Sequence, residues 1–221
     1  MSNMKRTLIN QIVRGVSAIL VFLVAFSFVS CLERTADDGY TVSGKISGHY
    51  YVDLGLSVKW ADRNIGALSS SAYGDYFAWR ETVTKDSYTS SNSVTYKVVV
   101  DDITGDAEYD VATANWGSKW RMPTEYELKE LVEKCSWVWT RRNGFNGYLV
   151  TGPNTNSIFL PAAGCRDGTS LYGAGSFGGY WSSTPYNSGT CYAYDLLFNS
   201  SNHGESRDNR YYGYTVRPVS E

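Results

Sequence analysis

The sequence predicts an α+β fold of mostly short antiparallel strands with few helices, and three observations carry that reading. One strong helix signal stands at Pro123-Thr124-Glu125-Tyr126-Glu127, where Thr124 can cap and Glu127, three residues on, can return the bond to the cap. Three short apolar runs separated by turn residues follow it, the pattern of a meander. Beyond them the chain is loop-rich, with frequent Gly, Ser and Asn, and no repeat at a solenoid or propeller period is visible.

The elements follow in order. Lys5, Arg6 and Arg14 precede an apolar run from Val16 to Val29, with no acidic residue before Glu33, the charge-then-hydrophobe order of a secretory signal. The run falls short of the about 20 residues a membrane-spanning helix needs. Its end, Phe28-Val29-Ser30-Cys31, resembles a bacterial lipobox, with small Ser30 before the cut and a Cys31 thiol able to carry lipid. Residues 1–30 are therefore expected to be a lipoprotein signal peptide, and 31–48 the lipidated Cys31 with a polar spacer. The alternative is an ordinary signal peptide cut near a cysteine.

The domain is expected over 49–221. Tyr50 to Trp60 suggests a strand or hairpin, Tyr76-Phe77-Ala78-Trp79 another, and the Thr-, Ser-, Asp- and Tyr-rich stretch 81–110 reads as a rim insertion around Val98-Val99-Val100. In the helix after Thr124, Leu128, Leu131, Val132 and Cys135 stand at i, i+3, i+4 and i+7, one inward stripe. Trp137-Val138-Trp139, a turn at Asn143-Gly144, Tyr148-Leu149-Val150, a turn at Pro153-Asn154, and Ile158-Phe159-Leu160 form the meander. From Gly164 to Tyr214 the chain is loop-rich, broken by Tyr192 to Phe198, before the closing Thr215-Val216-Arg217-Pro218-Val219.

Charge and composition narrow the partners. Removing 1–30 leaves 17 basic against 22 acidic residues, and no lysine follows Lys134. Nucleic acid, which needs a basic face, is not an expected partner. Only His49 and His203 exist and no cysteines stand in a metal-like pair, so neither a metal nor a cofactor is expected. The oxygen-rich run Asp101-Asp102-Ile103-Thr104-Gly105-Asp106 lacks EF-hand spacing and reads as a solvated turn. With Cys31 lipidated, Cys135, Cys165 and Cys191 remain. Either all three are free or one pair closes, Cys165 with Cys191 being favoured because both lie in the C-terminal segment.

Six segments recur in the same order in one family: Tyr51 to Trp60 (YVDLGLSVKW), Tyr73 to Trp79 (YGDYFAW), Trp120-Arg121-Met122-Pro123-Thr124, Phe159 to Gly164 (FLPAAG), Tyr180-Trp181-Ser182-Ser183 and Val216-Arg217-Pro218-Val219. Over roughly residues 50–221 the chain thus resembles the Fibrobacter succinogenes major paralogous domain family of Bacteroidetes surface proteins. The resemblance implies a C-type-lectin-like fold related to formylglycine-generating enzymes, displayed from the outer membrane. The calcium loops of sugar-binding lectins have no counterpart: Gly152-Pro153-Asn154 and Tyr180-Trp181-Ser182 lack the carboxylates. Some relatives of this fold are variable proteins of diversity-generating retroelements. Between Cys165 and Tyr214 the eight Tyr, eight Gly, eight Ser, four Asn and absence of Lys resemble such a region, and equally a paratope.

The candidate ligand-binding face is accordingly the segment 165–214, with Arg166, Asp167, Tyr172, Tyr186, Asn187, Tyr192, Tyr194, His203, Glu205, Arg207, Asp208 and Asn209 as contact residues. Trp60, Trp79, Trp120, Trp137 and Trp181 lie in strand or family segments and are assigned to the core. A protein or glycan ligand is the expected partner, besides the membrane through Cys31. The expectation is a non-enzyme. The alternatives are a structural or adhesive envelope lipoprotein and, more remotely, an oxidase of formylglycine-generating type using Cys165 or Cys191.

Overall fold

Thr124 caps its helix in the computed structural model, which describes residues 42–221. The Glu127 N–H donates to the Thr124 hydroxyl at 3.3 Å, and the Thr124 N–H donates to the Glu127 carboxylate at 2.8 Å. Arg121 grips the same carboxylate with two bonds of 2.8 and 2.6 Å, fixing the cap to the approaching chain. The readings on residues 1–41, the leader, Cys31 and most of the spacer, lie outside the described residues.

The described chain is α+β and mostly strand. In order it runs β1 (Gly44–Ile46), β2 (His49–Val52), β3 (Lys59–Ala61), α1 (Val111–Trp116), α2 (Glu125–Lys134), β4 (Ser136–Arg142), β5 (Phe145–Thr151) and β6 (Ser157–Pro161). Then come β7 (Cys165–Asp167), β8 (Ser170–Tyr172), β9 (Phe177–Pro185), β10 (Tyr192–Asn199), β11 (His203–Asn209) and β12 (Val219–Ser220). Four small antiparallel sheets result, ordered β1-β2-β3-β12, β4-β5-β6, β11-β10-β9 and β7-β8. No helix among the described residues is long and apolar enough to cross a membrane.

The meander forms as expected. Arg142 pairs with Phe145 across Asn143-Gly144, whose φ values of +47° and +90° give a two-residue turn of the hand that strand twist prefers. At the next turn a Cβ on Gly152 would lie 2.0 Å from the Leu54 carbonyl oxygen, so only glycine lets the loop before β3 sit there. Leu128 and Leu131 of α2 join Val150, Ile158, Phe159, Leu160 and Trp60 in one core, while a second core gathers Phe77, Trp79, Met122, Trp181, Tyr214 and Val216.

Four expectations are corrected. The fold begins before His49: β1 pairs with β2, and Val42 is buried in the first core. Tyr76 to Trp79 makes a single bridge, Phe77 to Tyr214, instead of a strand; its place is fixed by indole N–H bonds from Trp79 to Ser182 and from Trp181 to Phe77, each 2.9 Å. Stretch 81–110 is anchored, because Tyr88, Thr95, Ile103 and Asp110 are buried. Asp110 caps α1 and also accepts from the Gly105 and Met122 N–H groups. Finally, 164–214 is mainly strand: β10 and β11 pair over seven positions, joined by a turn in which the Asn199 side chain accepts from Ser201 and Asn202.

Candidate ligand-binding face

Strand alternation sorts the predicted contact residues. Across β10 and β11, Tyr192 pairs with Asn209, Tyr194 with Arg207, Leu196 with Glu205 and Phe198 with His203. All eight side chains share one face of the hairpin. Ala193, Asp195 and Leu197, with Gly204, Ser206 and Asp208, occupy the other. At the His203 end Leu196 and Phe198 are buried, while Glu205 and His203 stay exposed and the His203 ring lies stacked 4.5 Å from Trp137. Partial burial of the ring against Trp137 lowers the His203 pKa.

Toward the β9–β10 turn the same face opens. Tyr186 packs edge-to-face on Tyr194 at 5.4 Å and on Tyr192 at 6.5 Å, and the Arg207 guanidinium lies 4.7 Å above the Tyr186 ring. Tyr192 remains 38% exposed, and Asn187 and Arg207 are exposed beside it. The turn is held by the Tyr186 and Tyr192 main chains, and below it the buried Arg210 donates to the carbonyls of Tyr192, Thr95 and Val98. These three tyrosines are thus presented on a braced turn rather than a loose loop.

The first turn of α2 borders this patch, which sequence reasoning missed. The Glu125 N–H donates to Thr184, and burial together with the Glu125 charge raises the Tyr194 pKa. Glu205 is likewise raised, by burial first, with Lys129 opposing and Glu125 adding. Glu125 and Lys129 are some sixty residues from Tyr186 in the chain, so no local signal joins them to it.

The remaining predicted residues lie elsewhere. Asp208 points to the inner face, where its carboxylate accepts from the Tyr214 hydroxyl at 2.8 Å; neighbours in a strand face opposite ways, so it cannot share a surface with Arg207 and Asn209. Arg166, Asp167 and Tyr172 sit on the β7–β8 hairpin, a separate sheet bridged to Tyr88 and Gly213 through Gly168 and Arg166. There Arg166 lies 5.3 Å over the Tyr76 ring and lines a polar cleft of about 310 Å³ with Tyr88, Lys85 and Asp86. Tyr172 is 57% exposed at its edge. A larger cleft of about 580 Å³ runs along the far end of β10–β11 between Phe177, Leu197, Ser206 and Tyr214.

Cys135, Cys165 and Cys191 are all free, the first of the two readings, and no Cys165–Cys191 pair closes. Cys165 is turned into the second core, its Sγ–H donating to the Arg166 carbonyl, whereas Cys191 stands at the edge beside Tyr96. Burial pushes the Cys165 thiol up to about 12 and the Cys135 thiol up to about 11, so both are protonated near neutral pH and poor nucleophiles.

No curated protein and no solved structure matches the chain. Residues 139–219, from within β4 to the start of β12 and so including the tyrosine patch and both clefts' C-terminal walls, are similar to a domain of unknown function, DUF8237.

Proposed function

We propose that the chain is a lipid-anchored surface lipoprotein of the resembled family, with a C-type-lectin-like fold, whose open patch of Tyr186, Tyr192, Tyr194 and Arg207 binds a protein ligand. The observation that carries the reading is the clustering of three part-exposed tyrosines with a stacked arginine on a braced turn, because Tyr and Arg are the residues that dominate protein interfaces. The edge-to-face rings offer no broad coplanar platform for a sugar, and the mixed charges of Arg207, Glu205, Glu125 and Lys129 suit a polypeptide. The family resemblance gains support from how its segments interlock: Arg217 donates to the Phe159 carbonyl and to Asn64, Trp60 pairs with Val219, and Trp79 donates to Ser182. These segments build scaffold and leave the patch outside them free to differ among relatives, as a retroelement-diversified surface would require.

Selection of a random peptide library on the full chain tests the binding reading. Enriched peptides are expected to lose at least about tenfold in affinity to a folded Tyr186→Ala/Tyr192→Ala double variant, since a central interface tyrosine typically contributes about 2 kcal/mol. Peptides that bind wild type and variant equally would remove the patch from the function. The anchor is tested separately: a fatty-acid analogue should label the wild-type chain in bacterial cells and fail to label Cys31→Ser, and labelling of the variant would refute lipidation at Cys31.

A further inference from the structure

Arg166 lies apart from the tyrosine patch, in a cleft of about 310 Å³ whose walls are fixed by bonds of their own. Its strand β7 is held to Gly213 by two main-chain bonds of 2.9 Å, and a Cβ on Gly213 would come within 2.7 Å of the Tyr88 ring and 2.9 Å of the Arg166 Cβ. Glycine there lets both side chains lie against the main chain. Tyr88 in turn exchanges two main-chain bonds of 2.8 Å with Gly168. Its hydroxyl donates to the Tyr76 carbonyl at 2.6 Å and accepts from the Lys85 N–H at 3.4 Å. The Tyr76 hydroxyl donates to the Ala163 carbonyl at 2.6 Å. Both tyrosine hydroxyls of the cleft are therefore committed to the scaffold.

The charged groups of the cleft divide differently. Lys85 is tied to Glu81 at 2.8 Å. Arg166, Asp75 and Asp86 line the same recess, and among the described residues none of the three side chains has an ion pair or a hydrogen bond. The Arg166 guanidinium lies 5.3 Å over the Tyr76 ring, a contact that uses none of its N–H donors. Two signs of charge left open in one braced recess select the ligand. A simple anion would meet Asp75 and Asp86 as well as Arg166, and a simple cation would meet Arg166 and Lys85 as well as the carboxylates. A molecule carrying both charges a few atoms apart satisfies the whole set. We propose that this cleft binds a free α-amino acid as its zwitterion, with Arg166 gripping the carboxylate and Asp75 and Asp86 receiving the ammonium group. The planar guanidinium fork matches a carboxylate with two parallel bonds, and an ammonium group donates to carboxylates by the same charge-assisted chemistry. A recess of about 310 Å³ stands at the small end of ligand pockets, with room for one amino acid and a little water. The site does not depend on the tyrosine patch having a ligand.

Thermal denaturation of the full chain with each of the common amino acids at millimolar concentration tests the proposal, with acetate and methylammonium as single-charge controls. At least one amino acid should raise the melting temperature, as a solute that binds only the folded chain must, and neither control should do so. Calorimetric titration with that amino acid should then show at least about tenfold weaker binding to Arg166→Gln and to the double variant Asp75→Asn/Asp86→Asn, since each strips the charge-assisted bonds from one end of the zwitterion. Both variants are expected to fold, because the altered side chains bond to no other part of the chain, and circular dichroism checks that they do. No shift with any amino acid, or binding that either variant keeps in full, would overturn the proposal. So would an equal shift with acetate, which would reduce the cleft to a lone arginine for anions.

Discussion

The hairpins β4–β5 and β10–β11 have the same plan, two antiparallel strands paired over seven positions, and opposite chemistry. In the first, Trp137 and Trp139 each meet the Tyr148 ring edge-on across the strands, at 5.3 and 5.2 Å, and a backbone turn at Asn143-Gly144 closes it. In the second, the inner face carries Asp195, Ser206 and Asp208, the outer face carries Arg207 and Glu205, and a side chain, Asn199, closes the turn. The first is stabilised by its own residues. The second is held by its surroundings: Arg210 clamps its base, Tyr214 caps Asp208, and Phe198 inserts among the rings of the first. A strand pair held from outside can spend its exposed positions on contact residues, which is where the tyrosine patch lies.

Phe198 is the joint between the two, and breaking it should have the largest effect. Its ring meets Tyr148 at 5.5 Å and Tyr180 at 5.7 Å, and it is 2% exposed. Phe198→Ala should cost about 3–5 kcal/mol and lower the melting temperature by roughly 10 °C in thermal denaturation of the full chain. Hydrogen exchange should then show β10–β11 opening well before β4–β5. Equal loss of protection in both hairpins would mean that they form one cooperative unit and that the distinction between them is only chemical.

The same contrast explains what could be read from residues alone. The capping box at Thr124, the apolar stripe of α2 and the Trp137-to-Leu160 meander announce themselves because their stabilising residues are local and follow the period of their element. His203–Asn209 carries no β-branched residue and no Phe, Tyr or Trp, and polar residues on both faces erase the alternation that marks a half-buried strand, so it reads as loop. That error carried Asp208 into the contact set, since within a loop it has no reason to face away from Arg207. Helix α1 went unseen for a related reason: its six residues are too few to show a helical period, and it is fixed by the buried cap Asp110. The separation of Arg166 and Tyr172 from the tyrosine patch depends on sheet order, which no local pattern contains.

A smaller and more selective effect comes from His203, the second residue that ties the hairpins together. Its ring stacks on Trp137 with the planes 14° apart and meets the Tyr148 ring at 5.5 Å. Burial there favours the neutral form, so the folded-state pKa lies below the ordinary histidine value of 6.5. The sign of the linkage follows: the folded chain binds fewer protons than the unfolded chain, so the contribution of the stack is full above that value and is lost as the pH falls below it, until the folded-state pKa is passed. His203→Phe keeps the aromatic area and removes the titration. Between about pH 7.5 and about pH 5 the wild type should therefore lose more melting temperature than the variant, the carboxylates contributing equally to both. If the two curves ran parallel, the imidazole would protonate without disturbing the stack, and Phe198 alone would join the self-supported hairpin to the one that carries the ligand face.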